Sequence, residues 1–163
     1  MKRYESGQSL IEIVLVLSVV VMVITGITFA VTSSLKNATF SKNQNLASAY
    51  AQQGMEIVRG IRDRSWSAFF SLPGGPFFCL PQNSTELVNR SGPDCDGEGN
   101  VGIFIREIRL NNNSLDCTAG AGNTKATVLV QWSDSICKDP SNLYCHEVKL
   151  VSCFSNINVV PTP

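Results

Sequence analysis

One carboxylate and six thiols carry most of the chemistry this sequence could perform. Glu12 stands five residues after Gly7, at the mouth of a run from Ile13 to Val31 that contains no charged residue. A charge within a membrane-length apolar segment costs about 3 kcal/mol or more unless it is partnered, so such a residue is read as functional by default. Without a partner in such a segment, Glu12 would either neutralise or find a cation. The cysteines Cys79, Cys95, Cys117, Cys137, Cys145 and Cys153 all follow the apolar run. An even number on one side of a possible span suggests disulfides made in an oxidising compartment. Mixed or free thiols are one alternative, and a thiolate zinc site is the weakest, because no Cys-x-x-Cys pair occurs and His146 is the only histidine. Several pairings remain open; Cys137 with Cys145 is the first expected, across a short connection.

Other chemistry finds little footing. With one histidine, beside Cys145 and expected at a strand edge, no Ser-His-Asp or Cys-His arrangement is expected, and no glycine-rich phosphate loop precedes a helix. The chain is not expected to be an enzyme, and neither a cofactor nor a metal is assigned. The stretch Asp94 to Asn100 offers carboxylate and amide oxygens to calcium but lacks the EF-hand spacing, and reads as a solvated loop. A formal net charge of zero gives no reason to expect nucleic acid as a main partner. Asn-x-Ser/Thr triplets at Asn37, Asn83, Asn89 and Asn112 could accept glycans on an exported surface, although Asn and Ser are abundant enough for chance to produce them.

The elements that must position these residues follow from hydropathy and periodicity. Leu10 to Val31 would form about 33 Å of helix, enough for a hydrocarbon core of about 30 Å. It is too long for a secretory signal, and Gly26-Ile27-Thr28 is a poor cleavage site. Lys2 and Arg3 favour a cytoplasmic N-terminus, with Lys36 and Lys42 opposing them on the other flank. No proline interrupts Ser33 to Trp66, so the helix is expected to continue from Gln8 to about Ser65. Leu46, Tyr50, Ile57, Val58 and Ile61 lie near helical spacing and are expected to contact an outer domain, with Arg59, Arg62, Asp63 and Arg64 at the solvated edge. Gly54 and Gly60 weaken that helix unless close packing against a sheet requires them.

Beyond the helix, Phe69 to Pro81 reads as a loop, since Pro73-Gly74-Gly75-Pro76 breaks any helix, with Phe77 and Phe78 tucked beneath a sheet. Val101, Ile103 and Ile105 alternate, then Ile108 and Leu110 resume in the opposite phase, which predicts a bulge near Arg106. Ala126 to Trp132 alternate cleanly, and so do Val148, Leu150 and Ser152. The 163 residues leave room for one domain. The expected fold is α+β: a long N-terminal helix, half transmembrane and half amphipathic, packed on a small antiparallel sheet and stabilised by disulfides.

Gly7-Gln8-Ser9-Leu10-Ile11-Glu12 followed by the apolar run resembles the N-terminal motif of type IV pilins and type II secretion pseudopilins. The strands from Thr127 to Trp132 and Glu147 to Val151, with the tail Ser155-Asn156-Ile157, resemble more loosely the minor pilins of the PilV kind and the minor I subunit of type II secretion. The resemblance implies a leader over 1–7, a transmembrane and assembly helix over 8–31, an amphipathic continuation over 32–66 and an exported head over 67–163. It implies cleavage by a prepilin peptidase between Gly7 and Gln8, with methylation of the Gln8 amine. Leu10 and Ile11 match the family's apolar pair, and Glu12 its glutamate, which meets the new terminal amine of a neighbouring subunit. The implied partners are that peptidase, other pilin subunits, an inner-membrane assembly platform and the lipid bilayer. Gln8 departs from the phenylalanine or methionine usual at the first mature position, which bears on methylation more than on cleavage. Adhesion, motility, DNA uptake and protein secretion share this leader. The alternatives are an extracytoplasmic binding protein or adhesin held by an uncleaved single-pass helix, and a secreted enzyme or inhibitor with a disulfide core.

Overall fold

The computed structural model describes residues 6–73, 77–90, 95, 97, 100–117, 122–134, 137 and 144–156, with 6–9 described by their backbone alone. Helix α1 runs without interruption over Ser6–Arg64. Two compact units divide the chain, 1–43 and 44–163.

In the first unit the apolar residues stand exposed: Leu10 and Ile11 are each 66% accessible, and Met22 and Phe29 each 76%. The helix from Leu10 onward contains a window of mean hydropathy 2.8, none of it buried, which is long and apolar enough to cross a membrane. Its few hydroxyls are satisfied internally. Ser18 donates to the Leu15 carbonyl at 2.7 Å, Thr25 to Val21 at 2.8 Å and Thr28 to Ile24 at 2.8 Å. Such back-bonding leaves no hydroxyl proton of this run without an acceptor.

In the second unit the rest of α1 lies against an antiparallel sheet. The buried helical positions are Ala47, Ala51, Met55 and Val58, with Tyr50, Ile57 and Ile61 packed beside them. The buried face is thus centred on smaller residues than the expected stripe, and Leu46 lies at its margin, 36% exposed. Small side chains let the helix axis approach the sheet, and Gly54 marks the closest point. A methyl group there would come within 2.9 Å of Val128 Cγ1. Gly60 has nothing within 4 Å of the same position, so close packing explains only the first of the two glycines. A short helix α2, Trp66–Phe70, follows, its N-terminus capped by the Ser65 side chain.

The strands are β1 (Phe77–Cys79), β2 (Val88–Asn89), β3 (Asn100–Val101), β4 (Phe104–Asn112), β5 (Asn123–Trp132) and β6 (His146–Ser155). Their order is β2-β1-β4-β5-β6, with β3 also on β4, and every pairing is antiparallel. Side chains alternate as the pleat requires. Phe104, Ile108, Leu110, Ala126, Val128, Val130, Trp132 and Phe154 form the core with the buried residues of α1.

Three expectations are corrected. Phe69 to Pro81 is not all loop: Phe69 and Phe70 end α2, and Phe77–Cys79 form β1, with Phe77 opposite Arg109 and Phe78 opposite Ile108, so that only the Phe78 side chain enters the core beneath the sheet. Val101 and Ile105 belong to different strands, because Val101 pairs with Phe104 across a tight Gly102-Ile103 turn. Gly102 has φ +64°, a value that glycine adopts without strain. No bulge occurs near Arg106 either, since β4 and β5 stay in register from Phe104↔Trp132 to Asn112↔Thr124. The phase change arises because both faces are buried there. Arg106 enters the core while Ile105 packs with Cys79, Cys95 and Tyr144 on the other face.

Candidate functional site

Gly7, Gln8, Leu10, Ile11 and Glu12 all lie within the first turns of α1. Leu10, Ile11 and Glu12 are exposed, as is the whole apolar run that follows. Glu12 has no hydrogen bond or ion pair among the described residues, in contrast to the self-satisfied Ser18, Thr25 and Thr28. Residues 1–5, including Lys2 and Arg3, lie outside the described residues.

All six cysteines are paired, as Cys79–Cys95, Cys117–Cys153 and Cys137–Cys145. The last is the pair expected from its short connection. Two of the bridges anchor a loop residue to a strand, at Cys79 of β1 and Cys153 of β6, and the third ends at Cys145, immediately before β6. Cys79–Cys95 is fully buried beside Ile105, and the Glu107 carboxylate accepts from the Cys95 N–H at 3.2 Å. Cys117–Cys153 ties the β4–β5 connection to β6. That connection begins at Asn113, whose side chain accepts from Gly122 N–H at 2.9 Å and whose φ is +54°. Asn112 donates to the Phe70 carbonyl at 2.7 Å and accepts from Thr124, so its amide already serves the fold.

Asp134, Cys137, Cys145 and His146 have ligand-type atoms within 4.8 Å of one another. With the two sulfurs bonded to each other, the cluster presents an imidazole and a carboxylate, 3.1 Å apart. His146 opens the edge strand β6, as expected, and its ring stacks on Trp132 at 5.2 Å. The Asp94 to Asn100 stretch considered for calcium falls largely outside the described residues, which include 95, 97 and 100 of it.

Sequence reasoning passed over Arg106. It is 1% exposed and donates to the Leu80 carbonyl at 3.0 Å, the Pro81 carbonyl at 2.6 Å and Gln53 Oε1 at 2.8 Å. Its guanidinium also lies 5.8 Å from the Tyr50 ring. Burial pushes its pKa down from the usual arginine range, and the interaction with Tyr50 opposes this. A planar fork with several donors is suited to such a place, where neutral oxygens replace water around a buried charge. Among expected solvated residues, the Arg62 side chain is only 17% exposed, with its guanidinium 5.1 Å from the Phe154 ring.

On the sheet face turned away from α1, Arg109, Lys125 and Lys149 line a shallow groove of about 340 Å³ with Thr127, Asn111 and Glu147. Alternation along three strands would have placed these residues on one face, but only the register shows that they neighbour one another. In comparison with known proteins, no family model, no curated protein and no solved structure matches this chain.

Proposed function

We propose that this chain is a minor pilin or pseudopilin, trimmed by a prepilin peptidase after Gly7 and packed by α1 into a membrane-derived fibre. The observation that carries this reading is Glu12. It is the charged residue at the mouth of an apolar helix that otherwise satisfies its polar groups internally. Cleavage after Gly7 creates an ammonium group four residues before Glu12. On a neighbouring subunit that ammonium is the cation which a carboxylate in oil requires. In this reading the head, with its buried helix face and three bridges, is an exported structural module, and the chain performs no chemistry of its own.

The test is intact-mass spectrometry and N-terminal sequencing of the protein extracted from native membranes. A chain beginning at Gln8 supports the pilin reading, and a gain in mass of one CH2, a methyl group in place of a hydrogen, would mark methylation of its amine. A chain retaining Met1 to Gly7 would instead mean a plain anchor carrying an extracytoplasmic binding domain. That outcome would end the pilin proposal.

A further inference from the structure

We propose that the sheet face away from α1 binds an acidic saccharide, through the groove formed by β4, β5 and β6. This goes beyond the fibre reading and stands whether or not the chain is cut after Gly7. The register sets the geometry. Arg109 lies opposite Thr127, Asn111 opposite Lys125, and Lys149 opposite Leu129. With neighbouring strands about 4.8 Å apart, the three cations form a triangle around Thr127, within reach of one anionic group above its hydroxyl.

Like charges gathered on one sheet face destabilise it unless something compensates. Lys125 is compensated by an ion pair with Asp116. Among the described residues, Arg109 and Lys149 have no carboxylate within ion-pair distance, and Glu147 has no cation within it. Arg109 is held instead by the Phe77 ring, 5.4 Å from its guanidinium, and Arg90 covers the same ring at 4.8 Å. The groove thus holds two unneutralised cations beside an unneutralised carboxylate, with hydroxyl and amide groups between.

That mixture selects among anions. A single-stranded nucleic acid binds by stacking its bases on open aromatic faces. The one aromatic residue lining this groove is already covered by guanidinium groups, and Glu147 would repel a phosphodiester chain. A uronic acid presents a carboxylate together with several hydroxyls. Arg109 and Lys149 would take the carboxylate, while Glu147, Thr127 and Asn111 would bond the hydroxyls.

The experiment uses the full chain in a polyoxyethylene detergent, titrated calorimetrically with hexameric oligogalacturonate. The same hexamer fully methyl-esterified and a twelve-nucleotide single strand of DNA serve as competing probes. Binding of the free acid is expected, with esterification weakening it about tenfold or more. Arg109→Ala and Lys149→Ala should each weaken it about tenfold while near-ultraviolet circular dichroism stays unchanged. Glu147→Gln supplies a reading of opposite sign: weaker binding of the saccharide and stronger binding of the oligonucleotide. The proposal is overturned if ester and acid bind alike, if the Arg109 and Lys149 variants bind as the parent does, or if the oligonucleotide binds more tightly than the saccharide. Absence of any heat with the free acid at millimolar concentration would overturn it as well.

Discussion

Gly54 on helix α1 faces Val128 at the centre of the sheet so closely that a methyl group on the glycine would lie 2.9 Å from Val128 Cγ1. Val128 is fully buried and β-branched, so it has little freedom to turn aside. Gly54→Ala should therefore destabilise the head by about 1–3 kcal/mol through overpacking, despite the better helix propensity of alanine. The double variant Gly54→Ala, Val128→Ala should recover part of the loss. Gly60 faces open space, so Gly60→Ala should instead stabilise by about 0.4–1 kcal/mol. Urea unfolding of the four proteins checks both signs.

Arg106 fastens the segment at Leu80 and Pro81 to Gln53 of α1. Arg106→Ala should cost about 2–4 kcal/mol, since it opens a cavity and strips two carbonyls of their charged donor. Lysine cannot reproduce the planar fork, and Arg106→Lys should remain about 1–3 kcal/mol below the parent. Arg106→Met fills similar space without bonding. A methionine variant as stable as the parent would show that packing, and not hydrogen bonding, holds this junction.

Cys117–Cys153 closes the longest of the three loops, with a sequence separation of 36 against 16 and 8. Its removal by paired serine substitution should cost about 4 kcal/mol, compared with about 2.5 kcal/mol for Cys137–Cys145. Cys79–Cys95 is fully buried, whereas Cys153 is exposed. Under mild reductant, mass-resolved thiol alkylation should therefore mark Cys117 and Cys153 well before Cys79 and Cys95.

Lys125 donates to the Asp116 carboxylate, and this hydrogen bond, with the attraction of the ammonium, holds the Asp116 pKa below its ordinary value. A lowered folded-state pKa means that the pair's contribution is present above the ordinary carboxylate range and is lost as pH falls through the folded value. The effect is confined to acid conditions and is small, because Asp116 is exposed. Lys125→Ala should shift the Asp116 titration upward toward the ordinary carboxylate value, read from side-chain carbon shifts by NMR. An unmoved titration would remove the pair from any account of acid sensitivity.

If Glu12 recruits subunits by charge, Glu12→Leu should be processed after Gly7 yet be absent from sheared surface fibres. Glu12→Asp, shorter by one methylene, should assemble partially. Normal incorporation of the leucine variant in a mixed-subunit assembly assay would contradict the charge-pairing account.

The long helix and the strands β5 and β6 were legible in the sequence because their patterns are pure. An uninterrupted apolar run and clean alternation leave one reading each. The sheet beside them was harder. β1 is three residues long and preceded by prolines and glycines, so local turn signals mask its pairing with β4. In β4, periodicity fails at Ile105 and Arg106 because opposite faces are both covered, one by a disulfide and one by the helix. An arginine among apolar alternation looks like an exposed position until the carbonyls that receive it are known. The helix face was misread in emphasis for a related reason: hydropathy favours large residues such as Leu46, while close approach to a sheet selects Ala47, Ala51 and Gly54. The groove cations were individually visible but became neighbours only through strand register.

No cysteine lies in α1, so none of the three covalent bridges reaches across to it. Tension applied along that helix is resisted at the head by interdigitated methyl groups and by the Arg106–Gln53 contact, loaded in shear. Reductant would slacken loops around the sheet yet leave this seam untouched, and mechanical pulling would do the reverse.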